Sequence, residues 1–160
     1  MDWSGVLLTE VKNTELSLAV VGYAVFSVAM LVMRLLGDKI VAALGEEKTL
    51  IFGSVTGALG FLSVIFLQNF YAIQLGFVLM GLGLANIVPT IYSLTKYQKA
   101  MPINAAVTAI TSMGYTGVIL GPAVLGFVAH GFGIEYVFYL LVLLLAAQAV
   151  AVKYYFAKMV

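Results

Sequence analysis

Five apolar runs, each separated from the next by a short polar stretch, account for most of the chain. They cover about 16–36, 49–67, 70–94, 105–128 and 136–152. Each is long enough, at about 20 residues, to cross a ~30 Å hydrocarbon core. Backbone polar groups in lipid must be satisfied within the segment, so the runs predict helices. The apolar-out, polar-in alternation of a transmembrane barrel strand is absent. The expected fold is an all-α integral membrane bundle, a single domain over 1–160 with five transmembrane helices. Residues 1–14 form a polar lead-in too short to span.

The polar separators carry as much information as the spans. Between the first two lies Gly37-Asp38-Lys39, then Gly45-Glu46-Glu47-Lys48, with Arg34 just before them. Six of the fifteen charged residues fall in this stretch. Each would cost roughly 2.5–3.5 kcal/mol at the centre of a bilayer, so the stretch is expected as a turn at a water interface. Gln68-Asn69, the connection Thr95–Pro102 and the turn His130–Glu135 separate the remaining spans, and a tail begins at Lys153. Basic residues divide unevenly between alternate connections. Arg34, Lys39, Lys48, Lys96, Lys99, Lys153 and Lys158 fall on one side, and Lys12 alone falls on the other. The positive-inside rule then predicts an outer amino terminus and a cytoplasmic carboxy terminus.

Composition narrows the function classes. Hydrophobic residues make up 63% of the 160 and charged residues 9%, with mean hydropathy +1.10. A soluble domain carries about 25% charged residues. Net charge is +1, which argues against nucleic acid as a partner. With no cysteine, disulfides, thiol catalysis and thiolate metal sites are excluded. Met1 is followed by Asp2 and Trp3 rather than a basic region, so insertion is expected to depend on the spans themselves.

Glycines are placed where helices would meet. The second span carries Gly53, Gly57 and Gly60, the third Gly76, Gly81 and Gly83, and the fourth Gly114, Gly117, Gly121 and Gly126. Small residues at such spacing let helix backbones approach closely in lipid. For Gly117, Gly121 and Pro122 two readings stand: a packing seam, or a break whose bend moves, since proline removes a backbone bond.

The charged turn, Leu36-Gly37-Asp38-Lys39 with Gly45 and Glu46-Glu47-Lys48, resembles the loop signature of the major facilitator superfamily. Arg34 stands where the first signature glycine is usual, and Glu46 and Glu47 stand where basic residues are usual. These departures resemble the degenerate copy in the carboxy-terminal half. Asp2-Trp3-Ser4, Gly22-Tyr23-Ala24 and Gly114-Tyr115-Thr116-Gly117 extend the likeness, in the same order, to the bacterial sugar-transporter-like members. The resemblance implies that residues 1–14 correspond to the end of helix 7 and the five spans to helices 8–12. It further implies a secondary transporter for a small polar solute, incomplete without an amino-terminal half or a second copy of itself. Membrane lipid is the other expected partner, and the bacterial cytoplasmic membrane the expected location. The competing reading is a non-transporting membrane interaction or assembly subunit, or a truncated gene product. The run Gly117–Pro122 with Gly126 resembles the glycine–proline motif of antiporter fifth helices, and carries no exchange direction.

Arg34, Gly37, Asp38, Lys39 and Gly45 are the candidate cytoplasmic gate, in which Arg34 and Asp38 could pair at i, i+4 if the helix continues through them. Polar side chains inside spans are costly and tend to face an aqueous cavity. On that ground Asn86, Gln74, Tyr115, Tyr23, Ser27 and Gln148 are candidate substrate-cavity residues, with a plain helix-to-helix hydrogen bond as the alternative for Asn86, Gln74, Tyr115 and Gln148 and packing as the alternative for Tyr23 and Ser27. No carboxylate lies mid-span, which leaves a titrating group to the missing half or to Asp2. His130 reads as structural. Trp3, Tyr71, Tyr92, Tyr97, Tyr136, Tyr154 and Tyr155 read as interface anchors. No nucleotide loop, metal cluster or catalytic triad is present, so neither enzyme nor cofactor is expected.

Overall fold

Leucine, valine, alanine and phenylalanine fill the runs, and the chain leaves the helical conformation only where a particular residue makes it do so. The computed structural model of the protein describes residues 5–7 and 16–159, and among these it is all-helical. Helix α1 is Leu16–Leu35, α2 Gly37–Leu44, α3 Glu46–Phe66, α4 Phe70–Leu84, α5 Ile87–Ser93, α6 Ile103–Phe132 and α7 Ile134–Met159, with a 3₁₀ turn at Leu94–Lys96 after α5. Among the described residues, four stretches are long and apolar enough to cross a membrane: Glu46–Phe66, Phe70–Lys96, Ile103–Phe132 and Ile134–Lys158. The bent pair α1–α2 supplies a fifth if taken as one span.

Gly45 and Gly133 end α2 and α6 at φ +79° and +106°, a region that side chains with a Cβ rarely enter. Gly133 alone separates α6 from α7, so the turn expected over His130–Glu135 shrinks to one residue. Asn69 caps α4, its Oδ1 accepting from the Tyr71 N–H at 2.9 Å. Pro89 occupies the first turn of α5, where a missing N–H is tolerated. It leaves the Ala85 carbonyl without its usual donor, and the helix is interrupted at residues 85–86.

The helices pack in the spatial order α1, α4, α3, α7, α6. Phe77, Met80, Leu50, Val64, Val137 and Phe138 are fully buried along α3, α4 and α7, with Phe61 and Phe138 edge to face at 5.8 Å. Glycine seats α4 on its neighbours. A Cβ on Gly83 would stand 2.6 Å from the Gly53 carbonyl oxygen, and one on Gly81 would stand 2.6 Å from the Phe26 carbonyl oxygen. At the far edge α6 touches α7 and the 3₁₀ turn, and only Ala106 on it is buried.

Several expectations change. The charged stretch is not a turn throughout: residues 37–44 form α2, set at 59° to α1 across Leu36. The helix therefore does not run straight from Arg34 to Asp38. No ion pair joins them among the described residues. The third span is broken at residues 85–86. The fourth is not broken at Gly121-Pro122: α6 continues through both, with only the Val118 carbonyl deprived of a donor. Asp2, Trp3, Ser4, Glu10, Lys12 and Glu15 lie outside the described residues.

Candidate functional site

The two helix breaks face each other. The elbow at Leu36-Gly37 and the break at Ala85-Asn86 are cross-tied by the Asn86 amide, whose Nδ2 donates to the Met33 carbonyl at 3.2 Å. Asn86 is 5% exposed. Its Oδ1 lies over Gly37, where an added Cβ would stand 2.5 Å away. Glycine at 37 is thus required by close approach, since Leu36 and α2 have ordinary right-handed backbone. Asn86 was one of the candidate cavity residues, with a helix-to-helix bond as its alternative. The alternative bond exists, and the residue also lines a cavity.

That cavity, of about 780 Å³, opens between α2 and α5. Arg34, Gly37, Asp38 and Gly45 line one side, and Asn86, Pro89, Thr90 and Ser93 the other. A smaller cavity of about 220 Å³ lies on the other side of Asn86, against Thr49, Phe52 and Gly53. Four of the five gate candidates therefore line the same cavity as Asn86; Lys39 does not line it.

Glu46 and Lys96 complete the rim. The Lys96 Nζ is 2.6 Å from the Glu46 Oε1, and the Tyr97 hydroxyl lies 3.4 Å from both Glu46 oxygens. The pair fastens the start of α3 to the turn after α5, and Glu46 also stands favourably at a helix amino terminus. The side chains of Arg34 and Asp38, both exposed, have no hydrogen-bond or ion-pair partner among the described residues. Thr90 is 2% exposed and its Oγ1 is buried without a partner. Hydroxyls elsewhere in the bundle return to their own helix: Ser54 donates to Leu50, Ser63 to Leu59 and Thr108 to Asn104, each at 2.8 Å. Thr90 does not.

The other cavity candidates are not brought to this place. Gln74 has both amide atoms buried and unpartnered on α4, and Gln148 has its Nε2 so on α7; neither lines the cavity. Tyr115 is 68% exposed on α6 and Tyr23 is 57% exposed on α1. Ser27 donates to the Tyr23 carbonyl at 2.8 Å, a bond within its own helix. Glu46, Thr90, Ser93 and Lys96 were not anticipated. Glu46 and Lys96 stood out in the sequence only as part of the signature loop and as a basic residue of a connection, and nothing local marked Thr90 or Ser93.

The fold and the charged elbow can be set beside known proteins. A family model described as Major Facilitator Superfamily matches residues 4–159. The chain belongs to the major facilitator superfamily. It is 42% identical over 153 residues to an uncharacterized MFS-type transporter of Yersinia pestis, covering 96% of this chain and 40% of that protein. Over 150 residues it is 31% identical to an uncharacterized transporter of Sinorhizobium fredii, covering 94% and 40%. The membrane protein MosC of Rhizobium meliloti is 28% identical over 133 residues, covering 83% and 33%. The chain thus spans about two fifths of the length of the curated relatives it matches. No solved structure gives a significant match. The superfamily membership and the apolar helices make this an integral multi-pass membrane protein.

Proposed function

We propose that this chain is the carboxy-terminal portion of a secondary transporter for a small polar solute, such as a sugar or metabolite, in a bacterial cytoplasmic membrane. The observation that carries the reading is the meeting of the charged elbow with Asn86 around one cavity. Asn86 is a polar side chain only 5% exposed at a break in an apolar span, and polar groups within membrane segments tend to mark solute or ion paths. In this reading Arg34, Gly37, Asp38, Lys39 and Gly45 form a cytoplasmic gate, and Asn86 is the cavity residue nearest to it. Gln74, Gln148, Tyr115, Tyr23 and Ser27 are left as weaker cavity candidates.

Transport by alternating access requires a second bundle against which this one rocks, with the solute between them. Exposure along α6 supports that requirement, since none of its apolar window is buried within the chain. The purified chain reconstituted alone in liposomes is expected to show no uptake of sugars or small metabolites above empty vesicles. The longer Yersinia relative is expected to take up at least one of them. Robust uptake by a demonstrated monomer of this chain would contradict the reading. Orientation has its own check: cysteines at Gln68 and Gly131 should react with impermeant reagent from outside, and one at Glu47 should not.

A further inference from the structure

Polar side chains on α6 are sorted by face. Asn104, Thr108, Thr111, Ser112, Tyr115 and Thr116 all belong to its first half. At about 100° per residue they fall within an arc of roughly 140°, and of the other residues from 103 to 117 only Ala105 shares it. Ala106, Leu125 and Val128, which pack on the rest of the chain, lie outside that arc. At one edge Thr111 shares a hydrogen bond of 3.0 Å with the Tyr92 hydroxyl, which sets the rotation of α6 against α5. The other five are exposed. On its own Tyr115 was a weak cavity candidate, and the face it belongs to changes that.

Depth separates these hydroxyls. Thr108, Thr111 and Thr116 each donate to the carbonyl four residues back at 2.8 Å, a bond that satisfies a threonine inside a span. The Ser112 and Tyr115 hydroxyls have no hydrogen bond among the described residues. They belong to the tenth and thirteenth residues of a 30-residue helix, near its middle. At that depth lipid offers no partner, and an unbonded hydroxyl is unfavourable there. Residues 117–129 carry no polar side chain, so the polar face begins beside the 95–102 connection and stops at mid-span. Hydroxyls that serve only helix contacts have no reason to stop there; a water path to a midplane seat does.

Charge then selects the ligand class. From Ile103 to Ala129 there is no Asp, Glu, Lys or Arg. An ion or zwitterion would give up hydration to a wall that holds no counter-charge. Amides and hydroxyls both donate and accept, which suits a solute that carries hydroxyls itself. Tyr115, 68% exposed, adds a flat apolar ring with a polar tip. We propose that this face of α6 is one wall of the solute path, ending at a seat around Ser112, Tyr115 and Thr116 for a neutral, hydroxyl-rich solute of the monosaccharide class. The second bundle supplies the opposite wall. This rests on the transporter reading and deepens it, by naming the face the solute meets and the class of solute.

The test uses the longer Yersinia relative in inverted membrane vesicles, with single cysteines at the positions matching Thr108, Ser112 and Tyr115, inside the arc, and Ala109 and Met113, outside it. Met113 is 75% exposed in this chain, so exposure alone does not distinguish the two sets. A water-soluble methanethiosulfonate should react at least about tenfold faster inside the arc, because the thiolate that reacts forms in water and not in lipid. At least one of glucose, xylose and mannitol should slow labelling at the Ser112 position about twofold or more once half the seats are filled. Glycine and acetate should not. In this chain Ser112→Ala and Tyr115→Leu should leave the melting temperature unchanged, since both side chains are exposed.

Equal labelling inside and outside the arc would overturn the proposal. So would protection by glycine or acetate, protection by none of the three neutral probes, or a fall of several degrees in melting temperature for either substitution in this chain. Solute uptake by the relative is read separately. Uptake with the arc cysteines unreactive would assign these hydroxyls to helix contacts, removing this inference and leaving the transporter reading standing.

Discussion

Two glycine-bearing helices behave in opposite ways. On α4, glycine is where another backbone presses in: a Cβ on Gly76 would meet the Gly60 carbonyl at 3.1 Å, and one on Gly83 the Gly53 carbonyl at 2.6 Å. On α6, a Cβ on Gly114, Gly117, Gly121 or Gly131 would meet nothing within 4 Å. Half of the apolar window of Phe70–Lys96 is buried, and none of that of Ile103–Phe132. Lipid offers no hydrophobic drive for helices to associate, so close backbone packing supplies much of the attraction. The α3–α4 seam has that packing in full. The same residue pattern on α6 lies open, and in the proposed reading it awaits a second bundle.

The contrast is sharpest where glycine touches backbone. Gly83→Leu is expected to cost about 3 kcal/mol or more, because overpacking against a main-chain carbonyl cannot be relieved by a side-chain rotation. Loss of a monodisperse peak after detergent extraction checks it. If Gly83→Leu purifies and melts like the parent chain, the seam is not as tight as described.

Next in size is the tie between the two helix breaks. Asn86→Leu removes the bond to the Met33 carbonyl and is expected to cost about 1–3 kcal/mol, read as a lowered melting temperature. Gly37→Ala should also destabilise, by forcing a Cβ against the Asn86 Oδ1. Combining Gly37→Ala with Asn86→Ala should recover part of that loss, with a coupling of about 0.5–3 kcal/mol between neighbours. Strict additivity would mean the two residues do not press on each other.

The ion pair at the rim is smaller again. With the Lys96 side chain 52% exposed, Lys96→Gln is expected to lower the melting temperature less than Asn86→Leu does, and to matter less in high salt. A loss comparable to that of Gly83→Leu would mean that this end of the bundle hangs on charge rather than on helix packing.

The spans were legible because length and hydropathy alone decide what can cross a bilayer, and four stretches and a bent pair were found where five were expected. The elbow was not. Gly37, Asp38 and Lys39 read as a water-exposed turn, yet Ile40–Leu44 carries the helix on at a new angle. The break near Asn86 was half legible: a proline at 89 inside an apolar span cannot donate to the Ala85 carbonyl, but the partner carbonyl of Met33 lies 53 residues away. The Glu46–Lys96 pair, 50 residues apart, left no local signal at all. Thr90 was invisible for another reason. A lone threonine in an apolar helix ordinarily bonds its own backbone, as Thr108 does, so nothing in its type or position marks the exception. The glycines of α6 show the limit most clearly, since one spacing serves an occupied seam and an open face alike.

The most direct test places Gly117→Leu and Gly121→Leu together, first in this chain and then at the matching positions of the longer Yersinia relative, with thermal unfolding measured in each. In this chain the pair is expected to shift stability by no more than about 0.5 kcal/mol, as for substitutions that touch nothing. In the longer protein, where a second bundle would close on α6, a loss of several degrees in melting temperature is expected. Equal tolerance in both proteins would contradict the account, because no second bundle would then pack on α6 in the longer relative either.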